Sequence, residues 1–260
     1  MQKSLFPNRI PSSFATLRET SVAILWRAVQ VWFYYLTWLV SLFVNNAVSR
    51  YKIVGSSPPL RGPVLITMNH ISMWDLAIFF TPMRRPFRYV TKAELFNVPF
   101  VGGLLWMLGC FPINRGKADR QALQTAIGFL KQGQMVGICP EGHRSPDHTL
   151  QLAHSGVALL ALNAPPGTKI VPVAVWGTEV IWQEKKSRFM SHRPPVTVRV
   201  GQPYEITRQI DAHGKSKRPD LEAVTEQIMV KIAELMPPQY QGAYSPAAIA
   251  NRQQEKIYGK

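Results

Sequence analysis

Acidic residues are scarce in this chain: fifteen Asp and Glu stand against thirty Lys and Arg, a formal net charge of +15 over 260 residues. Charged residues of both signs make up only 17% of it, below the roughly 25% usual for soluble domains. That shortage leaves less surface suited to water alone, so part of the surface is expected to face something else. Cysteine is nearly absent, and Cys110 and Cys139 both lie in apolar stretches. This excludes a disulfide framework and reads as two buried free thiols in a reducing compartment. No Gly-x-Ser-x-Gly elbow is present, which argues against a serine hydrolase. The six histidines never pair at i, i+3 or i+4, so no metal-ligand cluster is evident and no metal is expected. Lys and Arg never run longer than a doublet, there is no basic tail, and no nucleic-acid recognition motif appears. Internal repeats and low-complexity tracts are missing too.

The positive charge that remains is evenly spread, about +5 in each of residues 1–55, 56–182 and 183–260. Such a balance suits an anionic membrane surface or a phosphorylated substrate rather than nucleic acid. Residues 1–20 are polar and read as a tether. Residues 21–44 form an aromatic-rich apolar segment, interrupted by Arg27 and Gln30 and flanked by Arg9, Arg18, Arg50 and Lys52. A span needs about 20 mostly apolar residues, so this segment is borderline. Trp26, Trp32, Tyr34, Tyr35 and Trp38 are types that favour the headgroup level. An interfacial or half-inserted helix is the first expectation, a full span the second and a core helix the third. No small-residue cleavage site follows, which argues against a secretory signal.

From residue 51 the pattern changes to short apolar runs parted by turn signals. Residues 63–67, 87–90, 135–139, 170–175 and 196–200 predict strands; 119–130, 155–163 and 221–235 predict helices. The alternation predicts an α/β fold: a mixed, largely parallel sheet flanked by helices, preceded by an N-terminal membrane-associated helical segment. The expected divisions are a tether and membrane helix at 1–50, an enzymatic domain at 51–236 and a polar, loosely attached tail at 237–260.

Three segments carry chemistry. Residues 69–75, Asn-His-Ile-Ser-Met-Trp-Asp, follow a buried strand, where a loop presents reactive groups on a rigid frame. His70 is suited to take a proton near neutral pH, and Asp75 to fix its tautomer. Five residues apart on one continuous helix, the two would point about 140° apart. Their pairing therefore requires a turn at His70 and a helix starting near Ser72. An H-x4-D spacing alone is weak, since a turn-capping His and a helix-start Asp have the same spelling. Support comes from residues 139–145, Cys-Pro-Glu-Gly-His-Arg-Ser, and 109–116, Gly-Cys-Phe-Pro-Ile-Asn-Arg-Gly. Each ends an apolar run with an arginine, a rigid fork of donors matched to phosphate.

In order and spacing, residues 70–75, 111–115, 140–145 and 170–173 resemble the four blocks of the glycerolipid acyltransferase family, which includes the lysophosphatidic acid (1-acylglycerol-3-phosphate O-) acyltransferases. The resemblance covers residues 69–175 strongly and about 51–205 more weakly. It implies His70 as general base and Asp75 as its orienting carboxylate. It implies Arg115, Glu141, Gly142, Arg144 and Lys92 around the acceptor's phosphate, and Val171 and Pro172 on the acyl-donor side. It also implies acyl transfer from a thioester, acyl-CoA or acyl carrier protein, to the free hydroxyl of lysophosphatidate. The enzyme would work at a membrane, on its cytoplasmic face, among membrane lipids.

Alternatives are another lysophospholipid, glycerol-3-phosphate or a glycolipid as acceptor, or a basic membrane-binding protein without catalysis. A thioester is already activated, so no cofactor is expected. A tetrahedral oxyanion would need donors, with the backbone amides near Asn69 or the Pro-Glu-Gly turn as candidates. Residues 99–108 are a candidate acyl-chain wall, although ordinary core is the more economical reading. Two departures stand out: His143 replaces the family's usual Thr, and Leu152-Ala153-His154-Ser155-Gly156 lacks a Lys that many members carry there.

Overall fold

A computed structural model describes residues 21–116, 119–183, 193–206 and 220–258. The tether expected at 1–20 lies outside the described residues. Seven strands form one sheet: β1 (Arg50–Gly55), β2 (Val64–Met68), β3 (Phe87–Lys92), β4 (Phe111–Ile113), β5 (Met135–Ile138), β6 (Lys169–Trp176) and β7 (Pro195–Val200). Their order is β1-β7-β6-β2-β5-β3-β4. Every neighbouring pair is parallel except β6 with β7. The sheet is thus mixed and largely parallel, as the alternating pattern predicts. The described helices are α1 (Ser21–Val48), α2 (Asp75–Phe80), α3 (Val101–Met107), α4 (Arg120–Lys131), α5 (Gly156–Asn163), α6 (Val180–Gln183), α7 (Leu221–Ala233) and α8 (Pro246–Tyr258).

The period-two geometry of strands sorts the core into two layers. On one face Val64, Ile66, Met68, Val171, Val173 and Val175 pack with Ile78 and Phe79 of α2, Leu105 of α3 and Tyr34 of α1. On the other, Leu65, Val136 and Ile170 pack with Ala126 and Leu130 of α4, Leu160 of α5 and Ile228 of α7. Both faces are covered, which is why the central strands read as unbroken apolar runs rather than alternating ones.

Helix α1 is docked lengthwise on the domain. Gln30 Nε2 donates to Trp106 O (3.3 Å), Tyr34 Oη to Met83 O (3.0 Å), Trp38 Nε1 to Thr81 O (3.2 Å) and Asn45 Nδ2 to Ala77 O (3.1 Å). The near four-residue spacing of these donors puts them on one helical face. Tyr34 and Trp38, expected at headgroup level, therefore serve as anchors to the protein. The outward face is apolar, with Leu25, Trp32, Leu39, Val40 and Phe43 exposed. Within α1, Ala28–Val48 is long and apolar enough to cross a membrane.

Strands β1 and β4 and helix α3 were not anticipated, being short or lying at edges. The expected loose tail is corrected outright. Tyr240 Oη donates to Glu179 Oε1 (2.8 Å), the Tyr244 hydroxyl accepts from Ala153 N (3.0 Å), and the Arg252 guanidinium lies 5.3 Å over the Tyr244 ring. Gly242, at φ 45°, brings this segment against Leu150, where a Cβ would collide with backbone. Two tyrosines, an arginine and a glycine hold what a polar composition suggested was free.

Candidate active site

The carboxyl ends of parallel strands in an open sheet are where ligands commonly gather. Here the order β2-β5-β3-β4 sets four segments side by side at that edge: His70 after β2, the 140–145 turn after β5, Lys92 ending β3, and Arg115 just past β4. Lys92 pairs in register with Ile113, so Lys92 and Arg115 emerge next to each other. With strands about 4.8 Å apart, the row is about 14 Å across.

His70 Nδ1 lies 2.9 Å from Asp75 Oδ2. The required turn is present: α2 starts at Asp75, and Asp75 Oδ2 also accepts from the amides of Ile71 (2.7 Å) and Ser72 (2.8 Å). The side chain of Asp75 thus closes the loop that carries its partner. An ionised carboxylate can only accept, which places the proton on Nδ1 and leaves Nε2 with a free lone pair. The His70 side chain is 18% exposed while that of Asp75 is 0% exposed, so of the two only the imidazole reaches the surface.

Three further clamps hold this loop, none of them legible from the motif. Thr178 Oγ1 donates to Asp75 Oδ1 (2.6 Å), from just past the end of β6. Asn69 makes a two-way bridge to β6, its Nδ2 donating to Val175 O and its Oδ1 accepting from Val175 N, both at 2.8 Å. Ser145 N donates to His70 O (2.8 Å). The amides of His70, Ile71 and Ser72 are all committed inward, which corrects the expectation that this loop offers oxyanion donors. Gly142 N closes the neighbouring turn onto Cys139 O (3.1 Å).

Glu141, expected beside the phosphate, is turned under the site instead. It is fully buried; Oε1 accepts from His70 N and Oε2 from Gln151 N, each at 2.9 Å. Burial pushes its carboxyl up to about 7, against the lowering effect of the Gln151 and His70 amides. It acts as a brace between two loops rather than a phosphate ligand. Gly142 has φ 72°, and a Cβ there would sit 2.9 Å from the His154 ring, so the turn needs glycine for backbone reasons. Val171 and Pro172, expected on the acyl-donor side, are buried in the middle of β6. What reaches the site from this strand lies past the fourth block: Val175 near the end of β6 and Thr178 just beyond it.

The cations are open. Arg115, Arg144, Lys92 and His143 are all exposed. Lys92 is 3.5 Å from Glu94. The Glu94 carboxyl lies below its usual range, lowered first by its own backbone N–H and then by the Lys92 and Arg115 charges. Asp119 organises the Arg115 loop: Oδ2 accepts from Asn114 N (2.9 Å) and Nδ2 (2.8 Å), and Oδ1 caps α4 through Ala122 N (2.9 Å). Burial pushes the Cys110 thiol up to about 12 and the Cys139 thiol higher still, so neither is poised as a nucleophile. Among the described residues, no three His, Cys, Asp or Glu side chains group as metal ligands.

A buried carboxylate orienting an imidazole at the carboxyl ends of parallel strands, with cations in a row beside it, is an arrangement that can take a proton next to an anion. A model of the acyltransferase family matches residues 49–176, spanning the whole site except Thr178. Over that segment, just under half of its length, the chain is similar to that family.

A 1-acyl-sn-glycerol-3-phosphate acyltransferase of Pseudomonas aeruginosa is 32% identical over 56% of this chain and 56% of its own length. A lyso-ornithine lipid O-acyltransferase of the same species is 29% identical over 48% of this chain and 46% of its own length. The crystal structure of the 1-acyl-sn-glycerophosphate (LPA) acyltransferase from Thermotoga maritima aligns with a TM-score of 0.54 at 21% identity, covering 83% of this chain and 84% of that one. That last likeness is one of fold. The chain spans about half the length of the curated relatives it matches.

Proposed function

We propose that this protein transfers a fatty acyl group from a thioester, acyl-CoA or acyl carrier protein, to the free hydroxyl of lysophosphatidate, making phosphatidate. The observation that carries the reading is the Asp75–His70 pair with Nε2 free, beside Lys92, Arg115 and Arg144. These cations hold the phosphate and bring the hydroxyl to Nε2. Positioning of this sort is worth several kcal/mol of barrier. As the hydroxyl oxygen attacks the thioester carbonyl, its proton passes to Nε2, and Asp75 stabilises the imidazolium. The amides of His143 and Arg144 are the candidate donors to the oxyanion. Collapse breaks the C–S bond, and the departing sulfur takes the proton from His70, restoring the neutral imidazole.

Membrane association belongs to the same reading. Because α1 is hydrogen-bonded along its length to the domain, it lies in the plane of one leaflet with its apolar face down, on the cytoplasmic side. A second reading, lyso-ornithine lipid as acceptor, is favoured by that relative and by residues 152–156 lacking the Lys that many members carry there. The test supplies labelled oleoyl-CoA, or acyl carrier protein loaded with the same chain, with lysophosphatidate, glycerol-3-phosphate or lyso-ornithine lipid in mixed micelles. Labelled phosphatidate is the expected product. Transfer to lyso-ornithine lipid with none to lysophosphatidate would replace the first reading with the second.

A further inference from the structure

The apolar surface of this protein continues past α1. Beyond β3 the chain makes a short 3₁₀ turn at Ala93–Asn97 and then enters α3. Val98, Phe100, Val101 and Leu104 are all exposed there, and Phe100 is 94% exposed. A lone exposed apolar side chain is ordinary, but this one is held out by strained backbone. Phe100 has φ 61°, and Val101 N donates to Pro99 O across it at 2.7 Å. That closes a γ-turn of the rare positive-φ kind. A bulky L residue in that region is an outlier that persists only where its surroundings over-determine it.

The surroundings do so here. Pro99 restricts the entry to the turn, Gly102 N donates to Val98 O (3.0 Å), and Gly102 packs so tightly on Phe96 that a Cβ would collide with its carbonyl. The fold thus maintains strain to display a ring that gains almost no contact from the protein. The tip also adjoins charge and the membrane helix. Lys92 precedes the 3₁₀ turn, Arg115 acts on Glu94 within it, and Gln30 of α1 bonds to Trp106 of α3.

We propose that the tip formed by Val98, Phe100, Val101 and Leu104 is a second bilayer contact, entering the same anionic leaflet as the outer face of α1. This rests on the membrane-surface reading above and sharpens it. The protein is then held at two points, with the cations Lys92 and Arg115 at headgroup level and the carboxyl edge of the sheet over the lipid. An apolar ring beside cations matches the boundary between acyl chains and anionic headgroups.

The experiment places a nitroxide label at Phe100→Cys in the full chain bound to phosphatidylcholine–phosphatidylglycerol vesicles. The control label is at Gln121→Cys, on the exposed side of α4 across the sheet. The expected result is a label at 100 that becomes accessible to oxygen and shielded from aqueous nickel chelate, while the label at 121 stays wet. A vesicle-bound protein whose label at 100 stays as wet as that at 121 would overturn the tip and leave the α1 anchor standing. Failure to bind vesicles at all would overturn both. Shielding induced by acyl-CoA without vesicles would assign the tip to the acyl chain and overturn the proposal in another way. As a second variant, Phe100→Ser is expected to weaken partitioning to these vesicles by roughly tenfold; unchanged partitioning would count against insertion.

Discussion

The loop bearing His70 and the cations beside it lie on one sheet edge and are built to opposite rules. Four donors converge on the buried Asp75 carboxylate, Asn69 is bridged to β6, and both oxygens of Glu141 are spoken for. Lys92, Arg115 and Arg144 are exposed and far less constrained. The first arrangement fixes the imidazole in place without any substrate, which is what preorganisation of a proton transfer requires. The second leaves long side chains to close on an acceptor. On the proposed function, the rigid half of the site would set the reaction class and the adaptable half, with His143 beside it, the acceptor.

If that division is right, changes in the two halves separate in the kinetics. Asp75→Asn should lower kcat by about 10³ or more with KM little changed, because the His70 tautomer is lost while the binding groups remain. A steady-state series in lysophosphatidate measures it, and a pure KM effect would dissolve the contrast. Arg115→Ala and Arg144→Ala should each lower kcat/KM by about 10- to 100-fold, chiefly through KM for the phosphate-bearing acceptor and with little effect on the donor.

Thr178→Val sharpens the boundary, since Thr178 touches no substrate but leaves Asp75 Oδ1 without its hydroxyl donor. We expect about a tenfold fall in kcat at constant KM, restored by Thr178→Ser. A fall that Ser does not restore would mark Thr178 as packing only.

The smallest effect concerns Glu141. Its carboxyl is raised from the ordinary carboxylate value to about 7 by burial. The folded state therefore binds more protons than the unfolded state between about pH 4.5 and 7. Stability from this group is complete below that window and is lost as pH rises through it, by at most about 3 kcal/mol. Melting curves at pH 5 and pH 8 should differ by a few degrees more in the wild type than in Glu141→Gln.

How much of this was legible beforehand follows the same physical line. Central strands such as β2 and β6 announce themselves because burial on both faces forces unbroken apolar runs. Asp119 was legible as a helix start because a capping carboxylate acts locally. Thr178 was not, because its partner Asp75 is 103 residues away and nothing local distinguishes it from any threonine after a strand. Glu141 was misassigned for a related reason. A motif groups residues by neighbourhood in the chain, while burial decides whether a carboxylate faces the cleft or the protein. The C-terminal segment misled through composition, since three side chains, Tyr240, Tyr244 and Arg252, tie it down. The aromatic face of α1 misled by half, with Tyr34 and Trp38 turned inward and Trp32 and Phe43 outward.

The most direct measurement is acyl transfer from labelled oleoyl-CoA to lysophosphatidate in phospholipid vesicles, comparing wild type with folded His70→Ala. A loss of at least about 10³ in kcat, with acceptor binding retained, is the predicted result. Product formation by His70→Ala within about tenfold of the wild type would contradict His70 as the base.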